Sequence, residues 1–92
     1  MKVETVRSFD KDWRKVKDPT MRKRFAEAIE AALAKEMPNV DIVAVVGNPG
    51  HFRLRVGDYR ILYRVIPAAD ENRAILIRLV SRGALEQAAR RS

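Results

Sequence analysis

The residues of this sequence best suited to chemistry are its arginines. From Gly47 onward the chain has nine basic residues, all of them arginine, against four acidic ones, whereas up to Val46 it has ten lysines and arginines against eight acidic residues. A guanidinium group presents a planar set of donors that binds two phosphate or carboxylate oxygens at once. The late excess of five positive charges (nine minus four) therefore favours a nucleic acid or an acidic peptide as partner, although a basic surface can also serve solubility alone.

Many of these arginines fall in a predicted β-hairpin. His51–Val56 and Tyr59–Ile66 alternate between apolar and other residues, and Gly57-Asp58 between them suits a two-residue turn. A shift of this register by one residue would bury Arg60 and Arg64, so the pattern fixes the pairing. On one face the predicted cross-strand pairs are apolar: Val56 with Tyr59, Leu54 with Ile61 and Phe52 with Tyr63. On the other face they are Arg55 with Arg60, Arg53 with Leu62 and His51 with Arg64.

Two arginines directly opposite each other, here Arg55 and Arg60, destabilise a sheet by roughly 0.2–1 kcal/mol. A bound anion would offset that cost, so we interpret the arginine-bearing face as a binding surface for a polyanion. The alternative is that this is the solvated face of an antiparallel sheet, where any polar residue serves. His51 lies beside a turn, where a single histidine is more often solvated than catalytic, and is therefore a reserve candidate.

Several other kinds of site lack the residues that they need. The sequence has no cysteine and one histidine, so disulfides, thiolate metal sites and hydrolytic sites of the Ser/His/Asp type are not expected. It also lacks a glycine-rich phosphate loop and paired metal ligands. We predict neither a metal ion nor a cofactor.

Before the hairpin, the sequence predicts a strand and two helices. Val3–Arg7 is typical of a short strand, with a helix cap at Ser8. Asp18-Pro19 predicts the start of a second helix that runs to about Glu36. Trp13 and Phe25 lie on the apolar stripes of the two helices and are predicted core residues, whereas the run Arg22-Lys23-Arg24 is predicted to be solvated. The first helix carries its apolar stripe on Phe9, Trp13 and Val16.

After the second helix the remaining segments are predominantly strands. Val40–Val46 is a β-branched run, and Ala74–Val80 is the last strand. Gly83–Arg91 is typical of a short terminal helix. The predicted order is βααββββα, an α+β fold in which the helical pair packs on a mainly antiparallel sheet of four strands plus the N-terminal one.

Size and composition predict a single folded domain over residues 1–92. A chain of this length fills one core, and its 47% hydrophobic and 34% charged residues are ordinary for a globular protein. No apolar run approaches the roughly 18 residues of a membrane span, and the first residues lack a secretory signal. Together with the absence of cysteine, these features predict a cytoplasmic protein without membrane contact.

The stretch GHFRLRVGDYRILYRV, from Gly50 to Val65, closely resembles the hairpin of RelE-type toxins, for which the pattern YR(I/L)RVGDYR(V/I)(I/L)Y is typical. The order of elements, the turn before the hairpin and the basic residue after the last strand are also similar to that family. The chain is thereby identified as a member of the RelE/ParE superfamily of toxins from type II toxin–antitoxin systems.

The resemblance implies an activity, partners and site residues. RelE-type toxins cleave messenger RNA at the ribosomal decoding site without a metal, and an antitoxin neutralises them. The ribosome, messenger RNA and a cognate antitoxin are therefore the expected partners. By position, Arg53, Arg55, Arg60 and Arg82 are expected to be catalytic, stabilising charge during attack of a ribose 2′-hydroxyl on the adjacent phosphate. Arg64, Arg78 and His51 complete the expected RNA-binding set.

The sequence departs from the RNA-cutting branch after its last strand. That branch often has a tyrosine or a histidine pair there, whereas this chain reads Ser-Arg-Gly-Ala-Leu-Glu from Ser81 to Glu86. Arginine is a poor general base, so the base is unassigned, with His51, Glu86 or ribosomal RNA as candidates. The missing tyrosine favours inhibition of DNA gyrase, as in the ParE branch. A module that binds RNA without cleaving it is a third alternative.

Overall fold

The computed structural model describes residues 2–34 and 41–81. The predicted α+β class and the order of the elements are confirmed within these ranges. The predicted helix at Gly83–Arg91 lies outside them, and the assignment of residues 1–92 to one domain stays a prediction. The elements are β1 (Lys2–Thr5), α1 (Arg7–Lys15), α2 (Pro19–Ala34), β2 (Asp41–Ala44), β3 (His51–Val56), β4 (Tyr59–Ile66) and β5 (Arg73–Ser81).

The five strands form one mixed sheet in the order β1-β5-β4-β3-β2. The pair β1–β5 is parallel, and the other three neighbouring pairs are antiparallel. The predicted mainly antiparallel sheet is therefore confirmed. Because β5 is inserted between β1 and β4, the first and last described strands lie side by side.

The two helices pack on one face of the sheet, here called the inner face. Phe25 of α2 is fully buried, and its ring lies edge-on to Tyr59 with the ring centroids 5.0 Å apart. Trp13 of α1 is partly buried and packs against the same cluster. The predicted core positions of Phe25 and Trp13 are thus confirmed. The opposite face of the sheet, here called the outer face, carries the side chains that alternate with the core residues.

Helix α1 covers the part of β5 that β1 leaves unpaired. β1 pairs with β5 up to Leu76. Beyond that point, the Ser8 hydroxyl donates to the carbonyl of Ile77 over 2.7 Å, and a carboxylate oxygen of Asp12 accepts from the buried amide of Leu79 over 2.9 Å. Two side chains of one helix therefore satisfy backbone groups that would otherwise need another strand.

This arrangement corrects the prediction for the first helix. Helix α1 begins at Arg7, with Val6 in the capping position, so Arg7 belongs to the helix rather than to the strand. Ser8 lies inside the first turn and does not cap it. Its hydroxyl is bound to β5, a partner 69 residues away in sequence.

Helix α2 begins as predicted, but one of its basic residues has an unexpected role. The Asp18 carboxylate accepts the amide of Thr20 over 2.9 Å, which caps the helix. Arg22 is partly buried, donates to the carbonyls of Val16 and Trp13, and stacks 5.5 Å from the centroid of the Trp13 ring. The prediction of a solvated run is therefore wrong for Arg22. Its side chain connects α2 to the C-terminal end of α1.

Candidate nucleic-acid interface

The hairpin of β3 and β4 has the predicted register. All six predicted cross-strand pairs are present, among them Arg55 opposite Arg60 and His51 opposite Arg64. Gly57 opens the turn with a φ of 58°, a conformation that glycine adopts without strain. The inward residues Leu54 and Ile61 are almost completely buried, so the arginines are held on the outer face by the packing of the inner one.

Strand β5 widens this surface to three strands. The bulge between β4 and β5 leaves Ile77 without a cross-strand partner, because Leu62 pairs with Arg78 and Tyr63 pairs with Leu76. The cross-strand rows that result on the outer face are Arg55–Arg60–Val80, Arg53–Leu62–Arg78 and His51–Arg64–Ile75. The face thus combines guanidinium groups with the aliphatic side chains of Leu62, Ile75 and Val80.

Two arginines of β5 are paired with acids. Arg78 binds Asp12 with a nitrogen–oxygen distance of 2.7 Å, and Arg73 binds Glu4 of β1. Arg53 and Arg64, in contrast, make no hydrogen bond or ion pair within the described part of the chain. These two guanidinium groups are therefore available to an anion without loss of an existing bond.

Arg60 is oriented by its own turn. Its guanidinium donates to the carbonyl of Tyr59 over 3.1 Å and lies 3.5 Å from the carbonyl of Gly57. These contacts keep the side chain near the closed end of the hairpin, beside Arg55 across the strand pair. A guanidinium group has five N–H donors, so Arg60 retains donors for a bound anion.

Asp12 is an acidic group bound directly to an arginine of this surface. Burial by itself raises the pKa of the Asp12 carboxyl. The hydrogen bonds from Arg78 and the Leu79 amide and the positive charges of Arg78 and Lys15 have the opposite effect. Together they outweigh burial, so the pKa is lowered overall. The carboxylate therefore stays ionised and holds Arg78 at the edge of the outer face. Arg78 therefore supplies less free charge than Arg53 and Arg64.

His51 occupies the open end of the hairpin, opposite Arg64. Its Nδ1 atom lies 3.2 Å from the carbonyl oxygen of Pro49. A carbonyl oxygen can accept but not donate, so this contact places a proton on Nδ1 and leaves Nε2 as the basic nitrogen of a neutral ring. In that tautomer, Nε2 can accept a hydrogen bond from a bound molecule.

Six of the seven predicted site residues lie in the described part of the chain, on the three rows of the outer face. Arg82 lies outside the described residues, as does Glu86.

Asp12 is a residue of this surface that the sequence analysis missed, although the sequence contains a signal for it. Asp12 lies three residues after Phe9 and four before Val16, on the apolar stripe of α1. An acidic residue in such a stripe indicates a buried partner.

Within residues 2–34 and 41–81, no group of three or more His, Cys, Asp or Glu side chains could hold a metal ion. No helix of these same segments is long and apolar enough to cross a membrane. The predicted absence of a cofactor and the predicted cytoplasmic location stay predictions.

The sequence of residues 3–85 matches the family described as the ParE toxin of type II toxin-antitoxin system, parDE. The chain belongs to this family. It is therefore a toxin of a toxin–antitoxin system, as the hairpin implied. The match does not by itself distinguish cleavage of RNA from inhibition of gyrase. A comparison with curated protein sequences found no match.

Solved structures of toxins share the fold of this ParE-family chain. The RelB-RelE antitoxin-toxin complex from Methanococcus jannaschii contains a chain with 25% identity and a TM-score of 0.69, and the match covers 92% of this chain and 96% of that one. The YoeB/ParE toxin from Agrobacterium tumefaciens has 21% identity and a TM-score of 0.71, with 88% and 98% coverage. The archaeal RelE-RelB complex from Pyrococcus horikoshii gives 22% identity, a TM-score of 0.69, and 89% and 94% coverage.

Proposed function

We propose that this toxin is a ribosome-associated endoribonuclease that cleaves messenger RNA and so arrests translation. The observation that carries the proposal is the register of the hairpin, which opposes Arg55 to Arg60 and adds Arg53 and Arg64 to the same face. Phosphate bound across these strands would offset the repulsion between the opposed guanidinium groups. The resemblance of this hairpin to that of RelE-type toxins supports RNA as the polyanion.

The chemistry that this surface would support is transesterification within RNA. The ribose 2′-oxygen attacks the adjacent phosphorus, the bond to the 5′-oxygen breaks, and that oxygen takes up a proton from water. The products are a cyclic phosphate and a 5′-hydroxyl end. Negative charge develops on the phosphoryl oxygens, where Arg55 and Arg60 would stabilise it, with Arg53 binding the neighbouring phosphate. Arginine remains protonated at physiological pH, so another group must take the proton of the 2′-hydroxyl.

His51 is the described residue best suited to take that proton. The contact with Pro49 leaves its Nε2 atom unprotonated in the neutral ring, where it can act as a general base. Its place opposite Arg64 puts it at the end of the same face. Glu86 and a group of the ribosomal RNA are the remaining candidates.

We also propose a cognate antitoxin as the protein partner. The similar structures from M. jannaschii and P. horikoshii are complexes of RelE with RelB, and another, from E. coli, is the DinJ-YafQ complex. The net charge of +7 on this chain predicts that its own antitoxin is acidic. An acidic protein of this kind would compete with RNA for the arginines of the outer face.

The nuclease proposal can be tested by inducing the toxin without a partner and mapping messenger ends within translated frames. New ends should appear after induction. Arg60→Ala should reduce their formation by about 100-fold, the typical effect of removing one group that stabilises transition-state charge. Lys23→Ala is the matched control, because it removes one positive charge from an exposed position on α2. Normal cleavage by the Arg60 variant would refute the assignment.

Inhibition of DNA gyrase by binding is the second candidate function. Two observations favour it: the matching family is that of ParE, and the outer face mixes arginines with Leu62, Ile75 and Val80, a composition that also suits a protein surface. Unchanged messenger ends together with altered plasmid supercoiling would support this function. If neither changed while the purified chain still bound RNA, the chain would be an RNA-binding module without cleavage.

A further inference from the structure

A cavity of about 360 Å³ lies between α2 and the inner face of the sheet and is here called the inner cavity. Two small residues help to leave this space open. Ala32 of α2 contributes only a methyl group, and Gly50, just before β3, contributes no side chain. The other lining residues are Leu33, Ile42, Phe52, Tyr63 and Val65.

The lining of the inner cavity includes one polar side-chain group, the hydroxyl of Tyr63. The other lining side chains among the described residues are hydrocarbon, and none is charged. Tyr63 is only 5% exposed, and its hydroxyl makes no hydrogen bond within the part of the chain that the structure describes. Hydroxyl groups of buried residues normally have a partner. The hydroxyl of Tyr63 is therefore a hydrogen-bonding group that a ligand could satisfy.

This hydroxyl is within reach of a molecule that enters the cavity. In residues 2–34 and 41–81, every side-chain nitrogen or oxygen that is sealed from solvent has a hydrogen-bond partner. The Tyr63 hydroxyl has no partner and is therefore not sealed, and the inner cavity is a space that its side chain borders. Burial raises the pKa of this phenol, so the group stays protonated at neutral pH and can donate.

The size and lining of the inner cavity define the kind of molecule that would fit. An apolar cavity of about 150 Å³ already binds benzene, so the larger inner cavity has room for a ring with a polar substituent. The rings of Phe52 and Tyr63 stack with their centroids 5.5 Å apart, and they form an aromatic wall suited to a flat molecule. A charged molecule would lose its hydration here without gaining an ion pair.

We propose that the inner cavity binds a small uncharged molecule with an apolar ring and one hydrogen-bond acceptor, to which the Tyr63 hydroxyl donates. This site is separate from the arginine surface. Phe52 and Tyr63 lie on the inner face, whereas Arg53 and Arg64 alternate with them on the outer face. The inference therefore holds for a nuclease and for a gyrase inhibitor alike.

Titration of the purified toxin with three probes of similar size tests this proposal. Acetophenone has a ring and a carbonyl acceptor, ethylbenzene lacks the acceptor, and benzoate carries a charge. Each probe is added to isotope-labelled toxin while the amide signals of Gly50, Phe52 and Val65 are followed by NMR. Acetophenone and ethylbenzene should shift these signals saturably, and benzoate should leave them unchanged.

Tyr63→Phe separates the hydrogen bond from the apolar contacts. The variant should bind acetophenone about two- to tenfold more weakly than the wild type, because one hydrogen bond is lost. Its affinity for ethylbenzene should not fall, since that probe accepts no hydrogen bond. Val46→Ala is the matched control, because it shortens an apolar side chain that is 96% exposed and outside the cavity. It should bind both probes as the wild type does.

Ala32→Leu tests the cavity itself. The longer side chain would occupy part of the space, so the affinity for acetophenone and ethylbenzene should fall about tenfold or more. Thermal melts check that the variant folds, and the result for Tyr63→Phe does not depend on it.

Four outcomes would overturn the proposal. If acetophenone causes no saturable shift up to its solubility limit, the cavity does not bind such molecules. If Tyr63→Phe binds acetophenone as tightly as the wild type does, the hydroxyl does not select the ligand. Saturable shifts with benzoate would contradict an uncharged ligand. If the probes do not bind while a complex with the antitoxin shifts the same signals, the cavity receives a side chain of that protein instead.

Discussion

Asp12 joins α1 to the part of β5 beyond its pairing with β1, and Asp12→Ala should remove a large share of the stability of the fold. Its side chain accepts from the buried amide of Leu79 and from Arg78, over 2.9 and 2.7 Å. An unsatisfied buried amide costs about 1–3 kcal/mol. Loss of the ion pair, in which the Arg78 side chain is 46% exposed, adds about 0.2–1 kcal/mol. A loss near 2.5 kcal/mol would lower the Tm by roughly 10–20 °C in a domain of this size.

Thermal and urea denaturation measure this loss. Asp12→Asn should be less harmful than Asp12→Ala, because its amide oxygen can still accept from Leu79. Asp10→Ala removes an exposed carboxylate from the same helix and should change the free energy of unfolding by less than about 1 kcal/mol. A Tm for Asp12→Ala within about 2 °C of the wild-type value would mean that Asp12 does not hold α1 on the sheet.

The pH dependence of the same variants gives a second measure. The pKa of Asp12 is lowered on folding, so its carboxylate stabilises the fold above the unfolded value of about 3.9. That contribution is lost as the pH falls through the folded pKa. The stability difference between wild type and Asp12→Asn should therefore be constant from about pH 5 to 7 and shrink below about pH 4. A difference that persists in acid would contradict this account.

Three further predictions concern single residues of the sheet and of the turn before β3. Arg53→Gln should reduce the slope of log affinity against log salt for single-stranded RNA by about 0.7, measured by fluorescence titration, whereas Lys23→Gln should leave the slope unchanged. Gly50→Ala should cost about 1–3 kcal/mol in urea denaturation, because Gly50 has a φ of 77° and an added Cβ would lie 3.3 Å from the Val65 carbonyl oxygen. Gly47→Ala, which has open space around the new Cβ, should cost less. Burial raises the pKa of Tyr63, so the neutral phenol stabilises the fold below about pH 10. That contribution should be lost as the pH rises through the folded pKa. In thermal melts, Tyr63→Phe should therefore lose less stability than the wild type at alkaline pH.

The register of the hairpin could be predicted from sequence because two independent local signals agree. The Gly57-Asp58 turn sets which residues face each other, and the alternation of apolar residues with arginine sets which face is buried. The bulge in β5 could not be predicted in this way. The run Ala74–Val80 is apolar except for Arg78, so alternation does not show where one residue is inserted.

The contacts of α1 depend on partners distant in sequence. Ser8 and Asp12 are residue types typical of the first turn of a helix, but their hydrogen-bond partners lie on β5, 66–69 residues later in the sequence. Arg22 likewise lies in a basic run typical of a solvated surface, and its partial burial follows from its contacts with Val16 and Trp13 at the end of α1. Local patterns therefore predicted the helices, whereas the polar bonds that attach them became visible with the tertiary structure.

The central place of β5 has a consequence for the timing of folding during synthesis. The neighbours of β5 in the sheet, β1 and β4, are both translated before it. Until Arg73–Ser81 has left the ribosome, β1 has no strand to pair with, and Asp12 has neither of its bonds. Pairing across so long a loop is slow relative to local structure. A nascent toxin therefore passes most of its synthesis with an incomplete sheet, which delays its activity until nearly all described residues have emerged.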